Sequence, residues 1–600
     1  MINHNEHNAM FKLFNITALL LISVLSFAGH YDSHDAAVSE EQKLVELFDE
    51  IWDYEMTSNP TYATYVGYPG QNARWPNVSL DAVAKDAKMR RQLLAQLRDV
   101  NLNKLSENSR LDWLLVEKSL ADQLAGEEFP GEFILIHQRA GVRQDIADTL
   151  TMMPKRNRQD FVDRLSRLKN AAAYIEQNIA MLREGLARGV TPPKVTLRDV
   201  PEQIRNTIPA NIDTSPLLSS FDDYPASITE AEQRDISAQA REIVATSVYP
   251  AFQALLKFML DEYLLSANNS IALRDMPNGE NWYRHRVNYF TTTDLTPEAI
   301  HKLGLSEVKR IRGEMDKVIA DSGFTGTFSE FTDFLRTDKQ FYTSTAEELL
   351  TGYRDIAKRA DPELAKLFGT LPRLPYGVIA IPDYAAKSQT TAYYWGGSIE
   401  NGRAGYFYAN TYALDTRPTW EMEALTLHEA MPGHHLQIAI AQELPETHPL
   451  LQNLSYTGFV EGWGLYAESL GEEMGFYTDP YNKFGQLSYE MWRAVRLVVD
   501  TGMHMFGWDR QRAIDFFAGN TAKSLHDIEV EIDRYISWPG QALAYKLGEL
   551  KFKQLRARAT EALGDDFDIR AFHDQLLNRG ALPLDVLEKR TDDWIASQKN

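Results

Sequence analysis

The chain has no cysteine in 600 residues, which excludes disulfides, thiolate metal ligands and the lipid-bearing cysteine of a lipoprotein. Any zinc site is therefore restricted to histidine and carboxylate. Basic residues are also scarce. The 62 Lys and Arg stand against 84 Asp and Glu, a formal charge of −22, which argues against nucleic acid or an anionic membrane as a partner. Beyond the N-terminus no stretch reads as apolar enough to span a bilayer. Internal repeats, low-complexity tracts and Pro/Ser-rich linkers are missing too, apart from a polar spacer at 29–40. The expectation is one domain over 41–600, with an N-terminal helical half at about 41–290 and a second half at about 291–600.

What is present is an ordinary globular composition, 44% hydrophobic and 24% charged, enough for a substantial core. The N-terminus reads as an export signal over 1–28. Lys12 precedes an apolar run from Leu13 to Leu25, interrupted by Asn15, Thr17 and Ser23, and Ser26-Phe27-Ala28 supplies small residues for cleavage after Ala28. The polar stretch before Met10 suits a signal poorly, so Met10 competes with Met1 as the start. Export implies the periplasm or secretion, with no membrane partner once the signal is removed.

Apolar residues recur with helical spacing at 39–55, 81–124, 156–188, 229–266, 296–321, 344–368, 456–475, 483–506, 509–518, 523–537 and 540–563. Thr296 and Thr345 are suitable helix caps. The fold class is therefore mainly α. At 374–411, by contrast, β-formers bounded by Gly and Pro predict a small sheet. Segment 405–411, ending in Asn410-Thr411, is the candidate for an edge strand that binds substrate backbone, with Asn410 as a contact.

The chemistry concentrates in His428-Glu429-Ala430-Met431-Pro432-Gly433-His434-His435. In H-E-x-x-H the two histidines stand one turn apart on one helical face, and the Glu is a general base. Here an unbroken helix would put His434 roughly 120° around from His428, and His435 roughly 10.5 Å along the axis. Pro432 cannot donate to the carbonyl of His428, and Gly433 permits unusual backbone angles, so the helix should bulge or break. Looping out two residues returns His434 to the position of the normal second histidine. His428 and His434 are the preferred pair, with His435 the alternative.

Without cysteine a third ligand should be a carboxylate, and Glu461 is the best placed. Glu468, two helical turns on, could steady a ligand histidine. The Gly462-x-Gly464-x-x-Ala467 pattern superficially matches a dinucleotide fingerprint, but no strand precedes it. Tyr535 and Tyr545 are candidate oxyanion donors. Arg493, Arg496 and Arg534 are candidates to hold a substrate carboxylate, and Asp500 and His504 are an i, i+4 pair that could support a ligand from behind.

LHEAMPGHHLQ (427–437), EGWGLYAE (461–468), RLVVDTGMH (496–504) and RYISWPGQALAYKLG (534–548) together resemble the bacterial family known as domain of unknown function 885. That resemblance implies a mostly helical zinc peptidase of gluzincin type, similar to carboxypeptidase Taq and angiotensin-converting enzyme, with a deep central cleft. It also implies one Zn²⁺ on His428, His434 and Glu461, with Glu429 as base. The expected function is an exported zinc peptidase acting on short peptides, with C-terminal exopeptidase action if the arginines hold a carboxylate. Competing readings are a metal-containing peptide-binding protein without catalysis, and a zinc hydrolase of non-peptide amides.

Overall fold

Helix accounts for 69% of the computed structural model, which describes residues 39–387, 389–399, 402–444 and 447–599. The expected export signal and the choice between Met1 and Met10 lie outside these residues. Helix α1 (Glu40–Ser58) starts where Ser39 accepts from the backbone of Gln42, and it buries Leu44, Leu47, Phe48 and Ile51, a 3.6-residue stripe. The run expected at 81–124 is two helices, α2 (Leu80–Arg98) and α3 (Glu107–Gly126), because Asn101 and Ser106 cap new turns between them. Helices α4 (Arg158–Ala187) and α5 (Glu230–Ser266) form the centre of the N-terminal half.

Helix α5 corrects one expectation. One 18-residue window within it has a mean hydropathy of 1.4, long and apolar enough to cross a membrane. Its face carrying Val244, Val248, Phe252, Leu255 and Met259 is nevertheless buried in the same core as Phe161 and Leu168 of α4.

Helix α6 (Gly279–Thr291) was not expected, whereas α7 (Pro297–Asp321) follows its predicted cap, Thr296 accepting from the backbone of Ala299. Thr345 likewise makes a reciprocal capping box with Glu348. The predicted sheet exists as three strands, β1 (Tyr376–Ala380), β2 (Ala392–Trp395) and β3 (Gly405–Ala409), in the order β1-β3-β2. Strand β3 is therefore central, parallel to β1 and antiparallel to β2, and cannot accept a substrate strand. The edge strand toward the motif helix is β2.

The motif half continues with α8 (Met422–Glu429), α9 (His434–Gln442), α10 (Thr457–Ser469), α11 (Pro480–Met505), α12 (Leu525–Ser537) and α13 (Ala544–Leu563). Helix α11 is buried along nearly its whole length, yet carries Glu490, Arg493, Arg496, Asp500 and His504. Buried charge is costly unless paired, and Glu490, Arg493 and Arg496 are each in an ion pair. Glu490 accepts from Lys546 at 2.7 Å, and Lys546 also reaches Glu549 at 2.6 Å and Glu307 of α7 at 3.2 Å.

Burial pulls His137, His435 and His504 down to about 4 and His573 to about 3. A base with a depressed folded pKa contributes stability that is present above its unfolded value of about 6.5 and lost as pH falls toward 4, at most about 3 kcal/mol each. Burial acts in the opposite sense on carboxyls, pushing Asp500 up to about 7 and Asp148 up to about 6. The imidazole contribution is therefore read by substitution: His573→Gln should flatten the fall of the thermal midpoint between pH 6.5 and 4 relative to the wild type, and an unchanged slope would contradict a neutral, buried His573.

Candidate metal centre

The helix carrying His428 stops where the sequence requires. Helix α8 ends at Glu429 and α9 begins at His434, and the Met431–Pro432 peptide between them is cis. Trp463 Nε1 donates to the Pro432 carbonyl at 2.9 Å, and the amide of His435 donates to the Ala430 carbonyl at 3.2 Å, so the break is pinned. A Cβ at position 433 would stand 1.9 Å from the carbonyl oxygen of His428, so only glycine permits this approach. The rings of His428 and His434 consequently face one another, centroids 4.6 Å apart and nearly perpendicular.

Helix α10 brings the third group. Glu461 Oε2 lies 3.7 Å from His428 Nε2 and 3.4 Å from His434 Nε2, and the three candidate ligand atoms fall within 4.8 Å of one another. Ligands about 2.1 Å from a tetrahedral ion stand roughly 3.4 Å apart, so this donor set fits a small cation such as Zn²⁺ with minor closure. On the other side of His428, Nδ1 is bonded to Glu468 Oε1 at 2.8 Å, and Arg493 reaches the same oxygen at 3.3 Å. A carboxylate behind a metal-facing imidazole fixes its tautomer and orientation.

Two glycines of α10 explain the false dinucleotide pattern. A Cβ at Gly464 would lie 2.7 to 3.0 Å from the His428 ring, and one at Gly462 would lie 2.5 Å from Gly548 of α13. Gly464 is thus a site residue that motif reading missed, though its position one turn from Glu468 was a signal. His435, the alternative ligand, turns away. Its Nε2 bonds the Leu374 carbonyl at 3.0 Å and its Nδ1 the Tyr394 hydroxyl at 2.8 Å, so both nitrogens are used.

The electrostatics belong to one coupled cluster. Burial opposes charge on His428, but hydrogen bonds accepted by the Glu461 and Glu468 carboxylates carry it up to about 9. Burial likewise opposes charge on Glu461, yet the two histidines hold it well below the carboxylate range. Burial pushes Glu429 up, and its Oε2 is enclosed with no hydrogen-bond partner among the described residues.

These groups line a cavity of about 270 Å³ together with Thr390 to Tyr394 from β2 and its approach, Arg139, Arg493, Arg496, Arg534 and Tyr545. Tyr545 lies nearly parallel to the His428 ring, centroids 6.4 Å apart, and its hydroxyl accepts from Arg534 at 3.0 Å. Tyr535 does not line this cavity. Its buried hydroxyl accepts from Trp492 Nε1 and Arg496 Nε, both at 2.8 Å, and it is its place outside the cavity wall that removes it as an oxyanion donor. Asn410 is also removed as a substrate contact, because its buried amide donates to the carbonyls of Ala386, Gln389 and Thr390 and its oxygen accepts from Tyr412.

Asp500 and His504 do not support the ligands either. Asp500 accepts from the Tyr283 hydroxyl at 2.6 Å and the Gly540 amide at 3.1 Å, and His504 bridges the Leu273 amide and the Tyr535 carbonyl. Both tie α11 to neighbouring backbone. The three arginines named from sequence do face the cavity but are already engaged. Arg493 pairs with Glu468, Arg496 with Glu531 at 3.0 Å, and Arg534 with Tyr545 and Gln541.

Residues 60–591 match the family described as "Bacterial protein of unknown function (DUF885)". The chain belongs to this family. No curated protein matches this DUF885 member. Among solved structures, it is similar to a provisionally assigned lipoprotein from Colwellia psychrerythraea, with 26% identity over 94% of this chain and 100% of that one, at a TM-score of 0.89. A provisionally assigned lipoprotein of unknown function from Shewanella oneidensis shares the fold at a TM-score of 0.69, with 17% identity over 92% of this chain and 99% of that one.

Proposed function

We propose that the protein is an exported, zinc-dependent peptidase of gluzincin type that hydrolyses short peptides. The observation carrying this reading is the convergence of His428, His434 and Glu461 on one point beside the enclosed, unpartnered carboxylate of Glu429. Two imidazoles and a carboxylate are a donor set suited to zinc. When bound there, zinc supplies Lewis-acid polarisation of a carbonyl and lowers the pKa of water.

Glu429 takes the proton of the attacking water and returns it to the leaving amine, a task favoured by the upward push that burial gives its carboxyl. Glu468 holds the His428 ring in place through Nδ1. Tyr545, which lines the cavity close to the His428 ring, offers a neutral hydroxyl to a developing oxyanion. Strand β2, at the sheet edge beside the motif helix, is placed to align an extended peptide.

Export is supported by the N-terminal apolar run and by the lipoprotein assignment of the similar structures. The test is cleavage of a mixed peptide library by the purified protein, with metal measured alongside. Cleavage should disappear with a chelator and return with zinc. Stoichiometric zinc without cleavage of any peptide would instead identify a metal-containing binding protein.

A further inference from the structure

Four guanidinium groups line the cavity. Arg493, Arg496 and Arg534 each pair with a carboxylate and keep one enclosed nitrogen unpartnered, whereas Arg139 makes no ion pair among the described residues. Its Nε and Nη1 are enclosed and lack any hydrogen-bond partner among the described residues, and Nη2 reaches only Gln389 Oε1, at 3.5 Å. Glu531, a carboxylate on the cavity wall, is already paired with Arg496 and Arg534. Leaving two enclosed guanidinium nitrogens unmatched on a half-buried arginine is unfavourable, so a site that keeps them beside a cavity suits an anion that arrives from outside.

The way Arg139 is held supports recognition rather than chance. It stands at the tip of a tight turn closed by the His137 amide on the Ala140 carbonyl at 3.0 Å, and its own amide donates to His137 Nδ1 at 3.2 Å. Gln138, beside it, is bonded through its side chain to the Asp533 carbonyl and Ser537 Oγ of α12, both at 3.1 Å. The guanidinium lies over the Trp538 ring at 5.5 Å. A turn from the N-terminal half is thus fastened to the motif half, and its arginine is presented to the cavity in a fixed position, which lowers the ordering cost of binding.

We infer that Arg139 is the specificity residue for a peptide's free C-terminal carboxylate, which makes the substrates short peptides with an unblocked C-terminus. A planar guanidinium matches a carboxylate bidentately. This deepens the peptidase reading and rests on it for the identity of the ligand.

Calorimetry on the zinc-loaded Glu429→Gln protein, with one short peptide as free acid and as C-terminal amide, tests it. The acid should bind about 10- to 100-fold more tightly, and Arg139→Gln should bring the acid's Kd to that of the amide. Equal binding of acid and amide, or discrimination that survives Arg139→Gln, overturns the inference. If Arg139→Gln does not fold, Arg139→Lys, which loses the bidentate fork, takes its place, and acid preference unchanged in it overturns the inference. Cleavage by the wild type without acid preference would sink this inference and leave the peptidase standing. Arg139-dependent acid preference without cleavage of any peptide would do the reverse.

Discussion

Glu429→Gln is expected to lower kcat by about 10²- to 10⁴-fold while zinc content and fold remain those of the wild type. Glutamine keeps the shape of the side chain and removes only its capacity to take a proton. Glu429 lies outside the group of three residues whose donor atoms converge, so its loss should not release the ion. Steady-state kinetics and metal analysis on the same preparation separate the outcomes. Unchanged kcat would remove Glu429 as base, and lost zinc would make it a ligand.

His434→Ala and His435→Ala should behave oppositely although they alter adjacent residues. His434 Nε2 is 3.4 Å from Glu461 Oε2, whereas His435 spends both ring nitrogens on Leu374 and Tyr394. Removing a ligand should cost more than the 10- to 100-fold in affinity typical of losing a group behind one, so His434→Ala should weaken zinc binding by more than about 100-fold. His435→Ala should retain stoichiometric zinc and lose stability instead, since it leaves two buried partners unmatched. Zinc retained by His434→Ala and lost by His435→Ala would reverse the ligand assignment.

The convergence of His428 and His434 was legible in sequence because its logic is local: Pro432 and Gly433 break a helix between the two histidines. Glu461 joins them from another helix, and was picked out as the carboxylate a chain without cysteine would need for a zinc site. Most long helices were legible for the same reason, as their apolar stripes and Thr caps are short-range patterns. Strand order is not short-range, which is why β3 looked like an edge and proved to be central. Partner choice in a buried helix is also non-local. Asp500 and His504 have the spacing of a pair, yet each is satisfied by backbone from other segments. Tyr535 and Tyr545 flank the same break, and only the packing of Arg496 and Trp492 on Tyr535 tells them apart. Arg139 carries no motif at all and becomes visible only when its turn is seen fastened to α12.

Metal analysis of the wild-type protein, coupled to zinc-edge X-ray absorption, tests the central claim most directly. The account predicts one zinc per chain, with two imidazole nitrogens and a carboxylate oxygen at about 2.0–2.2 Å. A protein purified with no stoichiometric metal that also fails to bind added zinc, or a bound zinc whose shell lacks histidine, would contradict it.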